Sequence, residues 1–104
     1  MAMILCVDDE PAVCAIVEHA VSRLGHRCRI VRGVEEAMAA IARTPFDLIL
    51  ADYRMPEKSG LDLLRLLEAE GHRIPVVIMT GFSSIQHAVA SIKSGAYGVA
   101  VNCA

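Results

Sequence analysis

Short, continuously apolar runs alternate with helix-periodic segments along the whole chain, and this alternation decides the architecture. Met3–Val7 (MILCV) is apolar throughout, as expected of a strand buried on both faces of a parallel sheet. Pro11 suits the first turn of a helix, Val13, Ile16, Val17, Ala20, Val21 and Leu24 recur at helical spacing, and Gly25 supplies a stop. Arg27–Val31 reads as a weaker second strand. Val34, Ala37, Met38 and Ile41 mark a second helix that ends at Thr44-Pro45. Phe46–Ala51 is the third predicted strand, and Tyr53–Gly60 a loop broken by Pro56 and Gly60. Leu61, Leu64 and Leu67 carry a third helix to Gly71, and Pro75–Met79 is a strand rich in β-branched residues. Ile85, Ala88, Val89 and Ile92 predict a fourth helix closed by Gly95, and Val99–Val101 a short fifth strand. The expected fold is α/β: a five-stranded parallel sheet between helices, in the flavodoxin-like order 2-1-3-4-5.

Composition narrows the class. With 104 residues the chain is expected to be one domain spanning 1–104, too short for a closed eight-stranded barrel. Counting glycine but not tyrosine, about 60% of residues are apolar against a usual ~45–50%, which excludes disorder. No apolar run approaches the ~20 residues of a membrane span. The start, MAMILCVDDE, has no basic segment and is not read as an export signal. A net charge of −2 gives no basic stripe for nucleic acid. Cys6, Cys14, Cys28 and Cys103 lack any metal-finger spacing and read as reduced thiols of a cytoplasmic protein. Cys6 and Cys28 sit in apolar stretches, where a thiol acts as a small hydrophobe.

The polar residues that follow the strands carry the chemistry. Strand 1 runs into Asp8-Asp9-Glu10, strand 3 into Asp52 and strand 4 into Thr80-Gly81. In a parallel sheet these all fall at one carboxyl edge, and strands 1 and 3 flank the switch point where ligands bind. Three acidic groups in one crevice repel, so their pKa values rise or a cation joins them. A cluster of oxygen ligands without His or Cys fits a hard divalent ion, Mg²⁺ above all. The plainer alternative is that Asp8, Asp9 or Glu10 merely caps the helix begun by Pro11. That alternative leaves the convergence of Asp52 and Thr80 on the same edge to coincidence. The chain contains no GxGxxG, GxxxxGK[ST], GxSxG or HExxH motif, and His19, His26, His72 and His87 are scattered away from the strand edge.

The stretches VDDEP (7–11), ADYRMPEKSGLDLL (51–64), IPVVIMTG (74–81) and KSGAYG (93–98) resemble the receiver domain of two-component response regulators. Asp52 lies 43 residues after Asp9 and 28 before Thr80, a spacing that makes the resemblance specific. The resemblance implies that Asp52 is the phospho-acceptor. It implies that Asp8, Asp9, Asp52 and the backbone carbonyl of Arg54 hold Mg²⁺. Thr80 resembles the hydroxyl that meets the phosphoryl group, and Gly81 a phosphoryl contact. The implied partner is a sensor histidine kinase or phosphotransfer protein, and the implied role is regulatory, not that of an enzyme with turnover.

The chain also departs from that pattern. Asn102 stands where the family has a lysine 22 residues after the threonine, and Val99 where it often has a switching aromatic. An amide still donates a hydrogen bond but carries no charge. Lys58 or Arg54 offers a possible substitute cation. The residues after Val101 do not read as the family's fifth helix, so part of one sheet face is expected to lack cover and the chain to self-associate through that face or the strand-5 edge. Two readings from different classes follow: a phospho-acceptor signalling domain, or a degenerate receiver that binds partners without phosphorylation. A phosphohydrolase would want an acid two residues past the nucleophile, where this chain has Arg54.

Overall fold

Parallel pairing runs in unbroken register from one edge of the sheet to the other. In the computed structural model, which describes residues 1–55, 57–81 and 98–102 with side chains through Met79, five strands lie in the order β2-β1-β3-β4-β5. They are β1 (Met3–Val7), β2 (Arg27–Val31), β3 (Leu48–Asp52), β4 (Val76–Gly81) and β5 (Gly98–Asn102). The described helices are α1 (Pro11–Arg23), α2 (Val34–Arg43) and α3 (Gly60–Ala69). The expected order is thereby met. The helix predicted around Ile85–Ile92 falls outside the described residues.

Local sequence explains where the elements begin and end. Pro11 opens α1, where its missing N–H costs nothing, and Gly25 follows its end at φ 83°. In α2, Glu35 and Glu36 occupy the first turn and Arg43 the last, each complementing the helix dipole. Ser59 and Asp62 close a reciprocal capping box on α3.

Two strand boundaries differ from the sequence expectation. Strand β3 starts at Leu48, not Phe46: Phe46 is buried in the core, but Asp47 has already spent its N–H on Met3 O (2.8 Å), outside the β3 ladder. Apolar character marks burial, not ladder membership. The same strand includes Asp52, which is in register with Met79, so the carboxylate belongs to the strand end and not to the loop. Strand β4 starts one residue after Pro75, which has no N–H to give. It then runs through Thr80 and Gly81, because pairing with β5 continues to Gly81↔Asn102. The β5 strand is correspondingly longer than Val99–Val101. Helix α3 likewise begins at Gly60, the last residue of the loop expected over Tyr53–Gly60.

The core is one cluster in which Leu5, Val7, Ile49, Ala51, Val76 and Ile78 of the sheet meet Val34, Ala37 and Ile41 of α2 and Leu61, Leu64 and Leu67 of α3. Helix α1 packs on the other face, over β1 and β2. Because all strands point the same way, the carboxyl ends of β1, β3 and β4 share one rim.

Candidate functional site

Asp8, the residue after β1, is the buried charged group among the described residues, with 2% of its surface exposed. Its N–H donates to Val31 O of β2 (3.0 Å), which extends the β1–β2 ladder by one residue. Its Oδ1 accepts from the Glu10 N–H (2.9 Å). Glu10 is the N-cap of α1 but makes no side-chain capping bond, so the acidic run serves the rim and not the helix end. Asp9 is exposed, and Asp52, the last residue of β3, is half-buried. One carboxylate oxygen from each of Asp8, Asp9 and Asp52 lies within 4.8 Å of the others. The three acids that the sequence placed at one edge are therefore brought together.

Their electrostatics are those of an uncompensated cluster. Burial pushes the Asp52 carboxyl up to about 6, helped by the Asp8 charge and opposed by the Arg54 N–H, which donates to Asp52 Oδ1 at 3.3 Å. Asp8 is raised too, first by burial and then by Asp9 and Glu10, with the Glu10 N–H pulling the other way. Carboxylates that repel one another, one buried, one half-buried and one exposed, with no lysine or arginine bridged to them among the described ion pairs, form a donor set suited to a hard divalent cation.

The loop beyond Asp52 is tightly built. Gly60 N–H donates to Tyr53 O (3.0 Å), and a Cβ at Gly60 would stand 2.7 Å from Asp52 O and 3.0 Å from Ile78 Cδ1. Glycine is required here by the close approach of α3 to the end of β3. Glu57 adopts φ 69°, a left-handed conformation that costs a non-glycine residue energy. Arg54 is exposed two residues past Asp52. The backbones of Thr80 and Gly81 end β4 beside Asp52's strand, and Asn102 ends β5 in register with Gly81. The side chains of Thr80, Val99 and Asn102 fall outside the described part.

Sequence reasoning missed two contributors. The Cys14 thiol of α1 donates to the Asp8 carbonyl (3.4 Å), a contact with no sequence signature. Gly60 was read only as a breaker. The Ser59-x-x-Asp62 spacing of the capping box is present in the sequence but was likewise not read from it.

Residues 4–101 match the family model described as the response regulator receiver domain. The chain belongs to this family. It is 39% identical over 93 residues to the response regulator protein PilR of Pseudomonas aeruginosa, a match that covers 89% of this chain and 21% of that protein. It is 37% identical over 93 residues to the transcriptional regulatory protein ZraR of Salmonella typhimurium, again covering 89% and 21%. Among solved structures, NtrX from Brucella abortus in complex with ADP superimposes with a TM-score of 0.91 at 32% identity, over 97% of this chain and 23% of that one. The receiver thus spans about a fifth of the curated relatives it matches. Two-component signalling is the setting in which its acidic rim is to be understood.

Proposed function

We propose that this receiver is a phospho-acceptor domain, in which Asp52 takes a phosphoryl group from the phosphohistidine of a sensor histidine kinase or phosphotransfer protein. The observation that carries this reading is the convergence of Asp8, Asp9 and Asp52 within 4.8 Å at the carboxyl rim of a receiver-family sheet. An oxygen of ionised Asp52 attacks phosphorus, the P–N bond breaks, and the released imidazole nitrogen takes up a proton. Asp8, Asp9, Asp52 and the Arg54 carbonyl would hold Mg²⁺, which supplies charge neutralisation on the phosphoryl oxygens. Asp8 also draws its rigidity from three hydrogen bonds and so presents its remaining carboxylate oxygen in a fixed direction. The Thr80 hydroxyl and the Gly81 N–H are assigned to the phosphoryl oxygens, with Asn102 offering an amide where the family has a lysine. The role is regulatory and cytoplasmic; among the described residues no helix is long and apolar enough to cross a membrane.

Incubation with a small phosphodonor and Mg²⁺, followed by intact mass, tests the proposal. One added HPO₃ that persists supports it. An unchanged mass would instead support a phosphorylation-independent interaction module, and steady phosphate release a hydrolase. Asn102→Lys restores a charge beside the assigned phosphoryl position and is expected to speed labelling or lengthen its lifetime. An unchanged rate would mean that another cation already supplies the charge.

A further inference from the structure

Three polar groups of Asp8 are tied to the surrounding backbone and side chains, and the third tie is the unexpected one. The N–H is held by Val31 of β2, Oδ1 by the Glu10 N–H, and the carbonyl by the Cys14 thiol at 3.4 Å. The first two ties fix Asp8 to the sheet and to its own turn. Only the third fixes it to a helix. Cys14 stands one turn into α1, where its own N–H donates to Glu10 O at 3.1 Å, so its sulfur is positioned by the helix backbone. The Cys6 side chain of β1 is fully buried but makes no tie to Asp8 among the described hydrogen bonds.

We propose that Cys14 is a positioning residue for Asp8: its S–H holds the turn between β1 and α1 so that the Asp8 carboxylate stays directed at Asp9 and Asp52. The inference rests on the reading of this rim as a Mg²⁺ site. A nonpolar residue at position 14 would fill the same space under α1 but leave the Asp8 carbonyl buried without its donor. Groups that orient a metal ligand typically change metal affinity 10–100-fold when removed. A thiol is a weak donor, so the effect here belongs near or below the foot of that range.

The test compares Cys14→Ala and Cys14→Ser with Cys6→Ala in the intact chain, by Mg²⁺ titration calorimetry and by hydrogen exchange of the Asp8 and Glu10 amides in metal-free protein. Cys14→Ala is expected to weaken Mg²⁺ binding by roughly three- to tenfold and to speed exchange at both amides. Cys14→Ser keeps a donor and is expected to recover most of both. Cys6→Ala opens a cavity in a fully buried position, and so is expected to lower Tm at least as much while moving Mg²⁺ affinity less. A merely structural role for Cys14 would give the opposite ranking, with affinity following Tm across all three variants, and would overturn the proposal. So would unchanged amide exchange in Cys14→Ala. If alanine does not fold, the nearly isosteric Cys14→Val, which also lacks a donor, takes its place against Cys14→Ser. Should the unaltered protein bind no Mg²⁺, the site reading fails, and the exchange comparison still decides whether Cys14 positions Asp8.

Discussion

Along β1, β3 and β4 both faces of the sheet are apolar in sequence, yet they are unequally covered in the fold. On the face toward α2 and α3, Leu5, Val7, Ile49, Ala51 and Ile78 are completely buried. On the opposite face, α1 covers Ile4 and Cys6 of β1, but Leu48 and Leu50 of β3 and Val77 and Met79 of β4 are only half-buried. Strand register makes these one surface, since Ile4 pairs with Leu48, Cys6 with Leu50, and Leu50 with Val77. Asp52 continues the alternation of β3 onto the open side, as the buried and half-buried residues from Leu48 to Asp52 interchange one by one. The closed face holds the fold together, and the open face ends in the chemistry. Under the proposed function, a carboxylate that meets a phosphodonor has to sit where cover is thin, and burial is the main cause of its raised pKa.

The largest expected effect falls on the open side. Asp52→Asn removes the only nucleophile proposed at the rim and is expected to abolish phosphoryl uptake, read by intact mass after phosphodonor treatment. Asp9→Ala is expected to abolish Mg²⁺ binding in the same protein. Full labelling of the Asp52→Asn variant would assign the chemistry to another residue.

On the closed side the expected effect is on stability. Ile49→Ala leaves a cavity against α2 and α3 and should cost about 2–5 kcal/mol, the usual range for a buried large aliphatic residue. Leu50→Ala, its neighbour on the half-buried face, should cost roughly half as much or less, because its environment is already partly water. Urea unfolding of the two variants checks this directly. Equal losses would mean that the two faces are equally closed in solution.

Much of this was legible from residue order. A run such as Met3–Val7 has no face to expose, so it reads as a central parallel strand, and parallel strands carry Asp8, Asp9 and Asp52 to one rim by topology alone. The same runs conceal which face is better covered, because an uninterrupted apolar pattern has no polar side to assign. Phe46 shows a related limit: it satisfies the core without entering the ladder. The tight contact at Gly60 and the Cys14–Asp8 bond depend on how α3 and α1 sit on the sheet, and spacing along the chain does not encode that distance.

The rim should also titrate where the closed face does not. Asp52 has its carboxyl raised to about 6 in the fold, chiefly by burial and then by Asp8, against about 3.9 in an unfolded chain. Between those values the folded state binds more protons than the unfolded one. Metal-free stability therefore declines as pH rises through that interval, and the loss is complete above the folded value. Mg²⁺ competes with the same proton and binds the ionised form, so its stabilisation should be greater at about pH 7.5 than at about pH 5. Asp52→Asn, which cannot ionise, should raise the metal-free Tm at the higher pH and by roughly half as much at the lower, which lies inside that interval. Thermal unfolding with and without Mg²⁺ at both pH values provides the readout. A Mg²⁺ effect independent of pH would remove the carboxyl cluster as its site.

The smallest expected effect is association of the 104-residue chain with itself. Leu48, Leu50, Val77 and Met79 present a half-buried apolar surface, and among the described residues β5 pairs with β4 alone and so forms an edge. Exposed apolar area and unpaired strand edges both favour contact with another chain. Four half-buried side chains supply little of the ~1,000 Å² that a specific interface needs, and association must also offset ~4–15 kcal/mol of lost translational and rotational freedom. The contact should therefore be weak and visible only as a rise in average mass with concentration during sedimentation velocity. Leu50→Lys places a charge at the centre of the patch and should suppress that rise, whereas Arg65→Glu on the exposed side of α3 should not. A single monomeric species at every concentration, with no binding of an apolar dye, would show that this face is closed to other chains in solution, and the contrast between the two faces would then be one of degree within the fold.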